Sequence, residues 1–197
     1  MRDLLLATHN QGKLHELTAL LAGSPLRVRS LADGGLAQAI EETGDTFAAN
    51  AVQKAVHYSR LTDALTLADD SGLEADALGG EPGVRSARYG GPGLTDEQRN
   101  RLLLKAMEKI PWDDRTARYV CVLALAQAGE VIRCFEGTVE GLIAFEPRGR
   151  NGFGYDPLFY YPPKARTFGE LSQAQKDRIS HRGRALEQFL EYVERMT

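Results

Sequence analysis

Two adjacent carboxylates close an apolar run at Ala64-Leu65-Thr66-Leu67-Ala68-Asp69-Asp70-Ser71-Gly72. The run reads as a short buried strand that delivers two aspartates, a hydroxyl and a glycine to its carboxyl end. Neighbouring carboxylates repel, and burial makes the pair costly unless a cation or hydrogen-bond donors offset it. In open α/β sheets the carboxyl end of a strand is where ligands bind. The ordinary alternative is a polar turn in which Asp and Gly serve local geometry.

Other segments carry matching chemistry. Thr8-His9-Asn10-Gln11-Gly12-Lys13 leads from a strand into a helix, where free backbone N–H groups favour phosphate and Lys13 adds a full positive charge. It is not a Walker A loop: Ala7 stands where its first glycine belongs, and Leu14 follows the lysine. Glu41, with Asp69 and Asp70, offers the carboxylate oxygens that Mg²⁺ requires. Asn50 and Lys54 sit four residues apart on one expected helix, so both can face one site. Phe153-Gly154-Tyr155-Asp156 pairs an aromatic face for stacking with a glycine that lets backbone approach a ligand. Lys176 and Ser180-His181-Arg182 add two cations and an imidazole. Each has a plain alternative in a capped helix start, a solvated acidic loop, a structural turn or a charged helix surface. His15 and His57 fall in helices without metal-ligand spacing, and His9 has no carboxylate beside it in sequence. Ser71 is not in a nucleophile elbow, and no G-x-G-x-x-G follows a strand.

The elements that must position these groups follow from periodicity and punctuation. Residues 4–7 predict a first buried strand, and 13–22 a helix with Leu14, Leu17, Leu20 and Leu21 on one face. Residues 26–30 read as a partly exposed strand. Thr46 caps a helix expected to reach about residue 61. A glycine-rich loop spans 79–93, and Thr95 caps a helix to about residue 109. Residues 116–126 and 131–143 form a hairpin through 127–130. A second glycine-rich loop spans 149–154, Thr167 and Glu170 suit a capping box, and Ser180 opens a last helix with Leu186, Phe189, Leu190 and Val193 as its apolar stripe. Alternating strands and helices followed by a long hairpin predict an α/β protein with a mixed sheet, one domain over residues 1–197 built as two lobes.

Composition sets the outer limits. The chain has 197 residues, 43% hydrophobic and 26% charged, enough to bury a core. A net charge of −3 argues against a nucleic-acid partner. Cys121 and Cys134 fit no zinc spacing and are expected as reduced thiols. The N-terminal apolar run is too short for a signal peptide or a membrane span, so the cytoplasm is the expected compartment, with no membrane partner.

The pieces recur nearly end to end: residues 6–13, Glu41-Glu42-Thr43-Gly44, Asn50-Ala51, Lys54-Ala55, residues 68–73, residues 79–89, Gly152-Phe153-Gly154-Tyr155-Asp156-Pro157, and Ser180-His181-Arg182-Gly183. In this order they resemble the Ham1-like non-canonical purine nucleoside-triphosphate pyrophosphatases, the inosine triphosphate or dITP/XTP pyrophosphatases. That resemblance implies a two-lobed α/β fold with a long mixed sheet, flanking helices, an active-site cleft between lobes, and a homodimer. It implies hydrolysis of a purine nucleoside triphosphate (ITP, dITP or XTP) to monophosphate and pyrophosphate with Mg²⁺. By the same resemblance, Thr8, His9, Asn10, Gln11, Gly12 and Lys13 grip the triphosphate. Glu41 and Asp70 hold Mg²⁺, Asp70 is the base, and Ser71 and Lys54 assist at the phosphates. Phe153, Gly154, Tyr155, Asp156, Lys176, His181 and Arg182 line the base pocket. The competing readings are a related house-cleaning pyrophosphatase for another modified base and a silent nucleotide-binding module. Intact Glu41, Asp69, Asp70 and Lys54 argue against the second.

Overall fold

Leu4, Leu5, Leu6 and Ala7 are all buried, an unbroken apolar run of the kind found where a strand is covered on both faces. The computed structural model describes residues 2–36 and 38–195. That first run lies in β1 (Arg2–Leu6), followed by α1 (Gln11–Leu20), β2 (Leu26–Ser30), α2 (Phe47–Ser59) and β3 (Leu65–Ala75). Then come α3 (Asp96–Ala106), β4 (Thr116–Gln127), β5 (Glu130–Ile143), β6 (Phe159–Tyr161), β7 (Arg166–Thr167), α4 (Gln173–Asp177) and α5 (His181–Arg195). The seven strands form one sheet in the order β2-β1-β3-β4-β5-β6-β7. β1 is parallel to β2 and β3, with Leu4 opposite Leu65 and Leu6 opposite Leu67. β5 with β6, and β6 with β7, are antiparallel. The sheet is therefore mixed, as expected.

The chain divides into two compact units. The first comprises Met1–Asp70, Cys121–Gly137 and His181–Thr197. Its core joins Leu4, Leu6 and Leu67 to Leu17 of α1, Leu123 and Leu125 of β4, and Leu186 and Phe189 of α5. The α5 stripe is as expected, with Ala185, Leu186, Phe189 and Val193 buried and Leu190 partly so. The second comprises Ser71–Val120 and Thr138–Ser180. Its core gathers Leu73, Leu103, Met107, Tyr119, Ile143, Phe159 and Phe168. Arg115, 1% exposed, donates to the carbonyls of Ile143 (2.6 Å), Met107 (2.7 Å) and Ala144 (3.0 Å), which is how a buried guanidinium is tolerated.

Several boundaries differ from expectation. β3 does not stop at residue 68; it runs eleven residues and carries the aspartate pair in mid-strand. The apolar alternation resumes at Leu73 and Ala75, and cations around Asp69 let the strand pass through two buried carboxylates. α1 starts at Gln11, two residues early, because Asn10 caps it by accepting from the Lys13 N–H. The Thr167–Glu170 capping box is present as expected, at a 3₁₀ turn over Phe168–Glu170. No helix among the described residues is long and apolar enough to cross a membrane.

Candidate active site

In the first unit the groups converge on Asp69 and Asp70. Asp69 is 0% exposed and Asp70 5%. The phosphate-loop candidate reaches them through Lys13, whose Nζ lies 3.2 Å from Asp69 Oδ2 and 3.9 Å from Asp70 Oδ1. Within that loop Thr8 Oγ1 accepts from the Asn10 N–H at 3.2 Å, and Asn10 caps α1. Gln11 and Gly12 occupy its first turn, where N–H groups have no partner within the helix. His9 Nε2 lies 2.9 Å from Tyr58 Oη, and that hydroxyl donates to the Gln38 carbonyl at 2.8 Å. His9 thus ties the loop to α2.

α2 supplies the expected pair. Thr46 caps it, and Asn50 and Lys54 are both buried on its inner face. Asn50 Nδ2 donates to Asp70 Oδ2 at 3.0 Å, and Lys54 Nζ lies 3.8 Å from Asp70 Oδ1. Lys54 also pairs with Glu42, not with Glu41. Glu41 is exposed, and its carbonyl accepts from Gln53 Nε2 at 3.0 Å, which ties the acidic loop to α2. From α5, Arg182 pairs with Glu16 of α1 and lies 3.3 Å from Asp69 Oδ2. His181 precedes it, buried. Glu16 is absent from the sequence reading. It lies one turn beyond Lys13 on α1, which is the signal that could have shown it.

The two aspartates are driven apart electrostatically. Burial pushes Asp69 up, but Lys13, Arg182 and Lys54 outweigh it and hold the carboxyl at about 2. Burial also pushes Asp70 up; Lys54, Lys13 and the Asn50 hydrogen bond pull down, Glu42 pushes up again, and the net direction is upward. Lys54 is pulled down by burial and lifted above its ordinary value by Asp69, Asp70 and Glu42. The two neighbouring carboxyls are thus shifted in opposite directions.

Ser71 follows on β3 and begins the second unit. There Phe153, Gly154, Tyr155 and Asp156 form a tied turn. The Phe153 N–H donates to Asp156 Oδ2 at 2.9 Å, and Tyr155 Oη donates to the Ser86 carbonyl at 2.9 Å. Lys176 of α4, 2% exposed, donates to Asp156 Oδ2 at 2.5 Å and lies 5.0 Å from the centre of the Phe153 ring. A cavity of about 450 Å³ is lined by α3 and residues 149–154. The contribution of α3 is not apparent in the sequence.

The donor set can be tested for a cation. No cluster of three or more His, Cys, Asp or Glu side chains occurs among the described residues. Mg²⁺ needs just one or two protein carboxylates when phosphates supply the rest, and Asp70, with Glu41 exposed and not held by Lys54, offers two. The residues fit.

A capped helix start with a lysine, aimed at a buried acidic pair at mid-strand in a mixed sheet, defines the site of this α/β protein. The chain belongs to the Ham1 family, whose model matches residues 4–192. It is 47% identical over 189 residues to a dITP/XTP pyrophosphatase of Bacillus licheniformis, covering 96% of both chains. It is 50% identical to a dITP/XTP pyrophosphatase of Thermus thermophilus, covering 95% of this chain and 90% of that one. The solved structure of a HAM1 protein from Coxiella burnetii superposes with a TM-score of 0.90 at 42% identity, covering 99% of this chain and all of that one.

Proposed function

We propose that this chain hydrolyses non-canonical purine nucleoside triphosphates (dITP, XTP and ITP) to the monophosphate and pyrophosphate. Family membership and relatives bearing that activity in their names support the reaction. The observation that carries the chemistry is the convergence of Lys13, Lys54 and Asn50 on the buried Asp69–Asp70 pair, with Lys13 Nζ 3.2 Å from Asp69 and Asn50 Nδ2 3.0 Å from Asp70.

Pyrophosphate release requires water to attack the α-phosphorus. The new bond joins water oxygen to phosphorus, the bond to the β-phosphate oxygen breaks, and a proton leaves the water. Asp70 takes that proton, its raised affinity suiting it to the task. Lys13, Lys54 and the N-terminus of α1 counter the phosphate charge. Asn50 fixes the Asp70 carboxylate, while Asp69 and Arg182 keep Lys13 and the pair in place. Asp70 and the exposed Glu41 would hold Mg²⁺, Glu42 being engaged by Lys54; when bound, that ion supplies charge neutralisation at the phosphates.

Base choice is assigned to Phe153, Gly154, Tyr155, Asp156 and Lys176; Arg182, expected there too, is instead tied to Glu16 and Asp69 and serves the acidic pair. Phe153 offers a stacking face, and Lys176, fixed by Asp156, a donor. Hypoxanthine and xanthine carry an acceptor at position six, where adenine carries a donor. One unmet buried donor costs about 1–3 kcal/mol, or roughly tenfold to hundredfold in rejection. A homodimer acting in the cytoplasm is the expected working form, and sedimentation equilibrium at twice the chain mass tests the dimer.

The deciding experiment is product analysis with Mg²⁺ and ITP, XTP, dITP, GTP and ATP in turn. Monophosphate plus pyrophosphate from the first three, with ATP nearly untouched, is expected. Diphosphate plus phosphate, or indifference to the base, overturns the proposal.

A further inference from the structure

We propose that Asp96 and Asn100, one turn apart on α3, are positioning residues that hold Phe153 ready for a purine ring. This rests on the assignment of Phe153 to the base. Both backbone polar groups of Gly154 are taken by these side chains. Its N–H donates to Asp96 Oδ2 at 2.7 Å, and its carbonyl accepts from Asn100 Nδ2 at 3.1 Å. The Gly154 N–H belongs to the peptide plane that follows Phe153. The Phe153 N–H, in the plane before it, is bound by Asp156 at 2.9 Å. The backbone that aims the ring is thus pinned on both sides.

The clamp is itself rigid. Arg99 holds Asp96 through Oδ1 at 2.5 Å and donates to the Leu94 carbonyl at 2.5 Å. Leu103 and Met107, both 0% exposed, root α3 and its end in the core of the same unit. Asn100 is 5% exposed, and its Oδ1 is buried with no hydrogen-bond partner. A leucine would fill that space without stranding an acceptor, so the amide is explained by its donor to Gly154. Gly154 has φ +62°, a left-handed conformation that a turn without side-chain anchors would leave readily. Preorganising the turn lowers the cost of ordering it around a ligand.

The test is steady-state kinetics with ITP on the purified full chain, with melting temperature alongside. Asn100→Leu and Asp96→Ala should each raise KM about tenfold, the effect of one lost hydrogen bond at a fixed turn, and leave kcat within about threefold. Asp96→Asn keeps an acceptor for the Gly154 N–H and should restore most of the loss seen with Asp96→Ala. Lys105→Ala, exposed on the same helix and outside the cavity lining, should leave KM as in wild type. Unchanged KM in both clamp variants, or no recovery in Asp96→Asn, overturns the proposal. If Asn100→Leu does not fold, the Asp96 pair decides, since that side chain is 45% exposed. Phe153→Ala separates the two layers. If it raises KM and the clamp variants do not, the clamp fails alone; if it leaves KM unchanged, the assignment of Phe153 to the base fails with it.

Discussion

Asp69 and Asp70 are chemically identical neighbours whose surroundings shift them in opposite directions. Asp69 is fully buried between Lys13 and Arg182, so Asp69→Asn breaks a buried ion network and should cost about 3–5 kcal/mol in urea denaturation. Burial raises the Asp70 carboxyl in the fold, so keeping it ionised costs folding free energy above its unfolded value. Asp70→Asn in metal-free buffer should therefore be at least as stable as wild type while turnover falls on the order of 10²–10⁴-fold. Equal stability losses in both variants would show that the division of labour is wrong. Cys121 offers a pH test elsewhere. Burial pushes its thiol from 9.0 up to about 12, despite the nearby cations. The folded value exceeds the unfolded one, so the neutral thiol favours the fold, and that contribution is intact below pH 9.0 and lost as pH rises towards about 12. Wild type should lose roughly 1.4 kcal/mol per pH unit more than Cys121→Ala across that window. Parallel stability curves would contradict this.

At the scale of elements, close approach decides where α5 can lie. A Cβ on Gly137 would fall 2.1 Å from the His181 carbonyl oxygen and 2.6 Å from the Ala185 nitrogen. Both are backbone atoms of the helix that carries Arg182, so Gly137→Ala must displace it. A loss of about 1–3 kcal/mol or more is expected on thermal unfolding, with reduced turnover as Arg182 moves off Asp69. A fully active, wild-type-stable variant would mean that β5 and α5 yield freely. Much at this scale was legible in the sequence. The cap at Thr46, the spacing of Asn50 and Lys54 and the α5 stripe are local patterns, and local patterns survive folding. The hairpin turn at Ala128-Gly129 was legible too; both residues have positive φ, as a two-residue hairpin demands. What was hidden depends on partners far along the chain. β3 seemed to end at residue 68 because two aspartates normally end a buried strand; the compensating Lys13 and Arg182 lie 56 and 113 residues away. Asp96 and Asn100 carry no local signal of their part, since their partner Gly154 is over fifty residues on.

For the whole molecule, function and stability meet in ligand binding. The chain carries a net charge of −3 yet must hold a highly charged anion, so the affinity has to come from concentrated cations and not from a general field. On the proposed function that concentration falls to Lys13 and Lys54 of the first unit, held by Asp69, Asp70 and Glu42. The Asp70→Asn variant makes this measurable, because it should hold ITP while barely consuming it. A ligand at 100 times its Kd stabilises the native state by about 2.7 kcal/mol. For a chain of this length each kcal/mol moves Tm by about 2–4 °C, so saturating ITP should raise it by roughly 5–11 °C. ATP presents the same phosphates with the wrong base edge, and at the same concentration should give a clearly smaller rise. Tripolyphosphate, which has no base, should give less again. Equal shifts for ITP and ATP would place base selection in the chemical step and not in binding. Equal shifts for all three would strip Phe153 and Lys176 of any part in recognition and leave the phosphate cluster as the whole of the binding site.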